Sequence, residues 1–289
     1  MGAEVSGIII VPAPAWARFT GLLRRAFVAS YEDGCFGIAK GAAYSALLAF
    51  FPILTSVAAI FAQMQAESVS GVISRFLFQV VPPGSQDLVK YALTYRGSRP
   101  LWLLIVASLL AIWGGTGVMM TLMEGFQAAY KLPSGRPFLQ QRGIAVVLVF
   151  AAAIPTFAAS GVILFSRSIP AWLGLTHGTA QLRGWVAFGT QALNYVVALA
   201  TIVLVTALLY YIGPNRPMKM RDTWPGALLA TGLWLPATAA FGWYVRHIAH
   251  YNFLYGSVAA GIVLLVWMYL LAVVALLGCE FNAERELLT

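Results

Sequence analysis

Glu124, Gln127 and Tyr130 recur at three-residue spacing in MEGFQAAYKLPSGRPFLQQR, and Arg136 and Arg142 follow them. Residues three apart are neighbours on a helix surface. A carboxylate beside an amide and a phenol can titrate during transport or bridge helices. The plainer reading of Glu124 is an interfacial carboxylate paired with Arg136 or Arg142. Arg216 and Arg221 sit in a second basic segment, GPNRPMKMRD. Guanidinium suits phosphate, so Arg136, Arg142, Arg216 and Arg221 form a candidate set for gathering an anionic headgroup. Glu280, Asn282 and Glu284 make a third group, in GCEFNAERE. Glu280 and Glu284 are one turn apart and need counter-charges, for which Lys40, Arg142 or Arg221 are available. The group reads either as an ion-coupling site or as an ion-pair belt between helix ends.

Other chemistries find less support. His247 and His250 have zinc-ligand spacing, but neither Cys nor carboxylate stands nearby, so packing beside Tyr244 and Tyr251 is the expectation. Gly114-Gly115-Thr116-Gly117 is followed by no Lys-Ser or Lys-Thr and is not a phosphate loop. The 10 acidic residues are scattered, mostly at the ends of apolar stretches. They offer no paired carboxylates or Ser-His-Asp set, so neither an enzyme nor a bound metal or cofactor is expected.

The elements that must hold these groups are set by solvent. Six stretches lack Asp, Glu, Lys and Arg altogether: 41–66, 100–123, 143–166, 184–215, 223–245 and 247–279. A bilayer core needs roughly 20 apolar residues in a helix. Backbone polar groups in lipid demand helices or a closed barrel, and alternating ten-residue segments typical of barrels are absent. The fold class is therefore an all-α polytopic membrane protein with six transmembrane helices. Spans are expected at about 41–66, 100–123, 143–166, 186–212, 224–246 and 252–278. A 1–36 interfacial segment precedes this membrane domain (37–286), and 279–289 reads as a cytoplasmic tail. The mean hydropathy of +0.81 and 60% hydrophobic residues agree. Between the spans no segment exceeds about 40 residues, too few for a soluble catalytic domain.

The net charge of +8 reflects topology and anionic headgroups rather than nucleic acid. With the N-terminus inside, one side holds 11 Lys and Arg and the other 7, which favours N-in, C-in. Cys35 and Cys279 fall at inner span ends and read as small buried hydrophobes. Residues 7–14 are too short to span, and no basic region precedes them, so a cleaved signal peptide is not expected.

Residues 16–31 space Trp16, Phe19, Leu22, Leu23, Phe27 and Val28 helically, with Arg18, Arg24 and Arg25 elsewhere. This is an amphipathic helix for the inner leaflet. Segment 67–99 reads as an outer insert of two short interfacial helices broken at Pro82-Pro83-Gly84, either a packing element or a lid. Gly37 and Gly41 have the spacing of a close helix contact. Asn194 and Gly256, with Ser257, Ala260 and Gly261, mark further contacts. Pro52, Pro155 and Pro236 interrupt three spans and should kink them around a cavity. Gly114, Gly115 and Gly117 weaken the second span, either for a packed neighbour or for a broken helix lining a substrate site.

Four segments in order resemble the YihY/BrkB family of bacterial inner-membrane proteins: KGAAYSALLAFFPILTSVAAIFA, LMEGFQAAYKLPSGRPFLQQR, GPNRPMKMRDTWPGALLATGLW and YNFLYGSVAAGIVLLVWMYLLAVVALLGCEFNAE. The resemblance covers about residues 38–286 and implies six helices with both ends inside. The family pattern maps onto Tyr44, Pro52, Glu124, Tyr130, Arg136, Pro137, Arg142, Asn215, Arg216, Pro217 and Asp222. It continues through Pro225, Gly226, Tyr251, Tyr255, Gly256, Trp267, Tyr269, Gly278, Glu280 and Asn282. Two departures stand out: Gln127 where the family usually has Asn, and the Gly114–Gly117 cluster.

Family members are linked to serum resistance, one branch to export of lipid A precursors, and some carry the label ribonuclease BN. The resemblance and the residues together suggest a transporter or flippase-like exporter of an amphipathic or anionic substrate, such as a lipid or lipid-linked glycan. The alternative is a non-transport scaffold or partner in envelope organisation; a ribonuclease is the least expected. The expected location is the bacterial inner membrane. Expected partners are anionic membrane lipids, not nucleic acid, with a homo-oligomer or an envelope protein as further partner.

Overall fold

A computed structural model describes residues 15–64, 101–133, 136–166, 180–247 and 258–288. The described residues fold into seven helices: α1 (Ala15–Glu32), α2 (Cys35–Met64), α3 (Leu101–Ala129), α4 (Phe138–Ser166), α5 (Ala180–Ile212), α6 (Met220–His247) and α7 (Val258–Glu286). α2 to α7 are six helices long and apolar enough to cross a membrane. The chain is thus an all-α polytopic membrane protein. The outer insert 67–99, the segment 7–14, His250, Tyr251, Tyr255, Gly256 and Ser257 lie outside the described residues.

Successive spans pack side by side in chain order, and α7 returns to α2 to close the ring. Short connections make sequential neighbours the default. α7 is the most buried span and also touches α1 and α3. The start of α2, the ends of α3 and α5, the start of α6 and the end of α7 meet at one end of the bundle, here termed the base. Their core there is Cys35, Ala39, Phe126, Ala207, Tyr210, Leu276 and Cys279, with others.

α7 runs on past residue 279, and Cys279 to Ala283 are all buried, so the stretch read as a tail is the core end of a helix. Charge-free length underestimates such a helix, because a carboxylate inside the protein is counted as an end. At the other terminus α2 starts at Cys35 and keeps Lys40 exposed on its surface.

α3 runs unbroken through its glycine cluster. A Cβ on Gly114 would lie 2.8 Å from Ala49 Cβ, and one on Gly117 3.8 Å from Ser45, both on α2; Gly115 faces Val149 of α4. These glycines bring α2 and α3 into the most extensive contact in the bundle. Gly41 adds to it against Thr121, whereas Gly37 and Gly261 face open space. The helices also run through Pro52, Pro155 and Pro236.

Two turns need left-handed backbone. Gly34 (φ 70°) joins α1 to α2. Lys131 (φ 51°) ends α3, where Leu132 N–H bonds to Gln127 C=O and Lys131 N–H to Ala128 C=O. That pair of bonds is a Schellman stop, and glycine is its usual residue. Lys131→Gly is therefore expected to stabilise the protein by about 0.5–1 kcal/mol, read as a raised unfolding midpoint in detergent.

α4 and α5 depart from compactness. Away from the base, no residue of α5 between 184 and 200 is buried. Its half-buried positions follow one stripe that includes Thr190 and Asn194, and Ser166 of α4 donates to Asn194 Oδ1 at 2.6 Å. The buried residues of α5, Val203, Ala207 and Tyr210, all lie near the base. The α4–α5 pair is thus rooted at the base and sparsely packed beyond it.

Candidate functional site

The base collects most polar groups that the sequence singles out. Glu280 is 1% exposed, and the Cys35 thiol donates to its Oε1 across 3.2 Å. Among the described residues it forms no ion pair. The expected pairing with Lys40, Arg142 or Arg221 is not made, because Glu280 points at the first turn of α2 while Lys40 and Arg221 lie on the surface. Arg216 forms an ion pair with Glu286 at this end.

Asn282 ties α7 to the start of α6. Its Oδ1 accepts from Gly226 N–H at 2.7 Å, and its Nδ2 donates to Thr223 C=O at 3.0 Å. The two backbones touch at Gly226 and Gly278. A Cβ on Gly226 would overlap the Gly278 carbonyl and the Asn282 amide; one on Gly278 would lie 2.5 Å from Tyr210 Oη and 2.7 Å from Gly226 O. Tyr210 fills the space beside them. It is fully buried, donates to Ala275 C=O at 2.5 Å, and meets Phe126 edge to face at 5.4 Å. Tyr210→Phe keeps the ring and loses the bond, an expected cost of about 1 kcal/mol, checked by denaturant unfolding in micelles.

Glu124, Gln127 and Tyr130 part company. Glu124 is exposed, with no hydrogen bond or ion pair among the described residues, so its expected pairing with Arg136 or Arg142 is absent. Gln127 is buried, and neither its Nε2 nor the Tyr130 hydroxyl has a described partner. Three residues advance a helix by about 300°. The remaining 60° carries Gln127 from the rim into the core.

The arginines are engaged with the protein. Arg136 donates from Nε to Asn215 Oδ1 at 2.9 Å, and from its other nitrogens to the carbonyls of Gly213 and Pro214 at 3.4 and 3.2 Å. It thereby satisfies the chain just past the end of α5. Burial draws its basicity down from the usual value. Arg136→Ala should cost about 2 kcal/mol, and Arg136→Lys nearly as much, since an ammonium cannot reproduce the fork; thermal unfolding of the two variants tests this.

Arg142 lies 3.7 Å over the Trp113 ring and donates to Met120 Sδ. Arg216 sits 4.6 Å over Tyr130. Burial chiefly, then the neighbouring Cys279, raises the Tyr130 phenol far above its ordinary value, against the pull of Arg216, so it stays neutral. Arg221 alone of the four is exposed without a described partner. Arg136, bound to the 213–215 turn, lies beside Arg216 in the chain's fold, while Arg142 is held at Trp113 and Met120.

Cys35, Phe126 and Tyr210 complete the site, and sequence spacing did not single them out for it. An aromatic inside a uniformly apolar span carries no periodic signal; Gly213-Pro214 just after Tyr210 was the available hint of a crowded helix end.

The family described as Virulence factor BrkB matches residues 26–288. The chain belongs to this family. Among relatives of this BrkB-family chain, YfkH of Bacillus subtilis (strain 168), named as ribonuclease-like, is 28% identical over 83% of this chain and 86% of its own. A UPF0761 membrane protein of Aromatoleum aromaticum is 28% identical over 95% of this chain, and one of Alkalilimnicola ehrlichii 28% over 87%. The matches span 65% and 55% of those two longer relatives. No solved structure matches. The BrkB core so matched includes all six spans and the whole base.

Proposed function

We propose that this BrkB-family protein is a flippase-like transporter of an amphipathic or anionic substrate, such as a lipid or lipid-linked glycan, in the bacterial inner membrane. The observation that carries the reading is the contrast along the bundle. The base is packed around Tyr210, Phe126 and Leu276, while α5 has no buried residue from 184 to 200. Spans that are packed at one end and loose at the other present one closed and one open face, the form of a single state of alternating access. In this reading the base is a closed gate, cytoplasmic by the count of basic residues. Glu280, lacking a counter-cation among the described residues, is the group best suited to sense its opening. Gln127 and the Tyr130 hydroxyl, buried without described partners, are further polar groups that an open base would hydrate.

The test is transbilayer movement of labelled anionic lipids in liposomes carrying the pure protein, with and without a proton gradient. Protein-dependent movement supports the reading. Its absence across several headgroups under both conditions would overturn it and favour the scaffold alternative, in which a partner helix covers the bare face of α5. The reading also holds that the chain has no ribonuclease activity. RNA incubated with protein purified through two further columns should remain intact, and activity that co-elutes with the protein would contradict this.

A further inference from the structure

A groove of about 450 Å³ runs between α1 and the end of α7, lined by Arg24, Arg25, Val28, Ala29, Glu32 and Glu284. We propose that it binds the headgroup of a phosphoethanolamine lipid. This does not rest on the transport reading, since it concerns binding at a different face.

The charges define the ligand. Arg24 and Arg25 are exposed, as is Glu32, and Glu284 is half-buried. None of the four has an ion-pair partner among the described residues. Two unpaired cations and two unpaired carboxylates in one groove fit a ligand with both charges. Arg25 and Glu32 are seven residues apart on one helix face, about 10 Å along the axis. A phosphate near the arginines and an ammonium near the carboxylates fit between their side-chain ends. The volume falls within the roughly 300–1,000 Å³ of small-ligand sites.

The surroundings define the source as a lipid. Phe19, Phe27, Val28 and Tyr31 are large exposed hydrophobics on the same helix. Such a helix lies at the headgroup boundary with its apolar side toward the acyl chains. Phe19 also packs against Phe281, ring centroids 5.8 Å apart and tilted by 58°, which holds α1 against α7 beside the groove. Phosphatidylglycerol would satisfy the arginines and be repelled by Glu32 and Glu284. A phosphocholine carries a cation without N–H donors, so it forgoes charge-assisted hydrogen bonds to the carboxylates.

The full-length protein would be delipidated and mixed in micelles with equimolar phosphatidylethanolamine, phosphatidylcholine and phosphatidylglycerol of identical chains. Native mass spectrometry then counts the retained lipids. Phosphatidylethanolamine is expected to be retained about fivefold over the other two, the scale of two exposed ion pairs. Arg24→Ala with Arg25→Ala should lower retention of all three lipids. Glu32→Gln with Glu284→Gln should abolish the preference and raise phosphatidylglycerol. Arg24, Arg25 and Glu32 are exposed and Glu284→Gln keeps the side chain's shape, so folding is expected to stay intact, and an unchanged thermal midpoint verifies it. Equal retention of the three lipids, a wild-type preference for phosphatidylglycerol, or a preference that survives both double substitutions would overturn the proposal.

Discussion

Gly278→Val should leave almost no folded protein in membrane extracts. A β-carbon at 278 enters a space already held by Tyr210 Oη, Gly226 O and Ala230 Cβ, at 2.5, 2.7 and 2.8 Å. Two of these three are constrained. The Gly226 oxygen is backbone, and Tyr210 is locked by its bond to Ala275. Overpacking of a core ordinarily costs about 1–3 kcal/mol. Here the first carbon alone meets that range, and the two γ-methyls exceed it. Separating α6 from α7 would also break both Asn282 bonds, leaving buried polar groups unpaired at about 1–3 kcal/mol each. The sum approaches the 5–15 kcal/mol that holds a typical domain. Gly278→Ala is the milder companion and should yield protein with a lowered midpoint. Full-length, monodisperse Gly278→Val protein with an unchanged midpoint would show that the helices do not meet at 278 and 226.

Phe126→Ala carries the second large effect, and it separates architecture from function. Phe126 is buried at the crossing of α3, α5 and α7, with its ring against Tyr210 and against Gly213, where a Cβ would fall 2.6 Å away. Truncation leaves a cavity and should cost about 3–5 kcal/mol. Phe126→Leu refills most of the volume and should cost less than half as much. If the base is a gate, the loss falls mainly on the closed state. A bias of 3 kcal/mol changes an open population on the order of a hundredfold. Liposomes with Phe126→Ala should then leak a small anionic dye that wild-type liposomes retain, while Phe126→Leu stays tight. Loss of stability without leakage would mark the base as a structural core alone.

The membrane class, the number of spans and the amphipathic α1 were legible because lipid and water sort residues by charge and length, which sequence displays directly. Asn194 was legible as a contact for a related reason: a lone amide in an apolar span has to find a partner. The same local logic failed at Glu280. Its position near a charged end suggested a surface belt, yet burial beside Cys35, 245 positions away, is a fact of tertiary packing. Glu124 and Gln127 failed by rotation, since three residues almost complete a turn and leave one group outside and the other inside. The glycine cluster allowed both packing and unwinding, and only the approach of Ala49 decided between them.

What the sequence determined by itself was therefore the character of each segment: six helices long and apolar enough for lipid, and one amphipathic helix before them. What only the tertiary structure decided was pairing. It spent Arg136 on the end of α5, Arg142 on Trp113 and Arg216 on Glu286, and it left Arg24, Arg25, Glu32 and Glu284 around a groove. A residue type fixes which partners are chemically suitable; distances across the bundle fix which of them it meets.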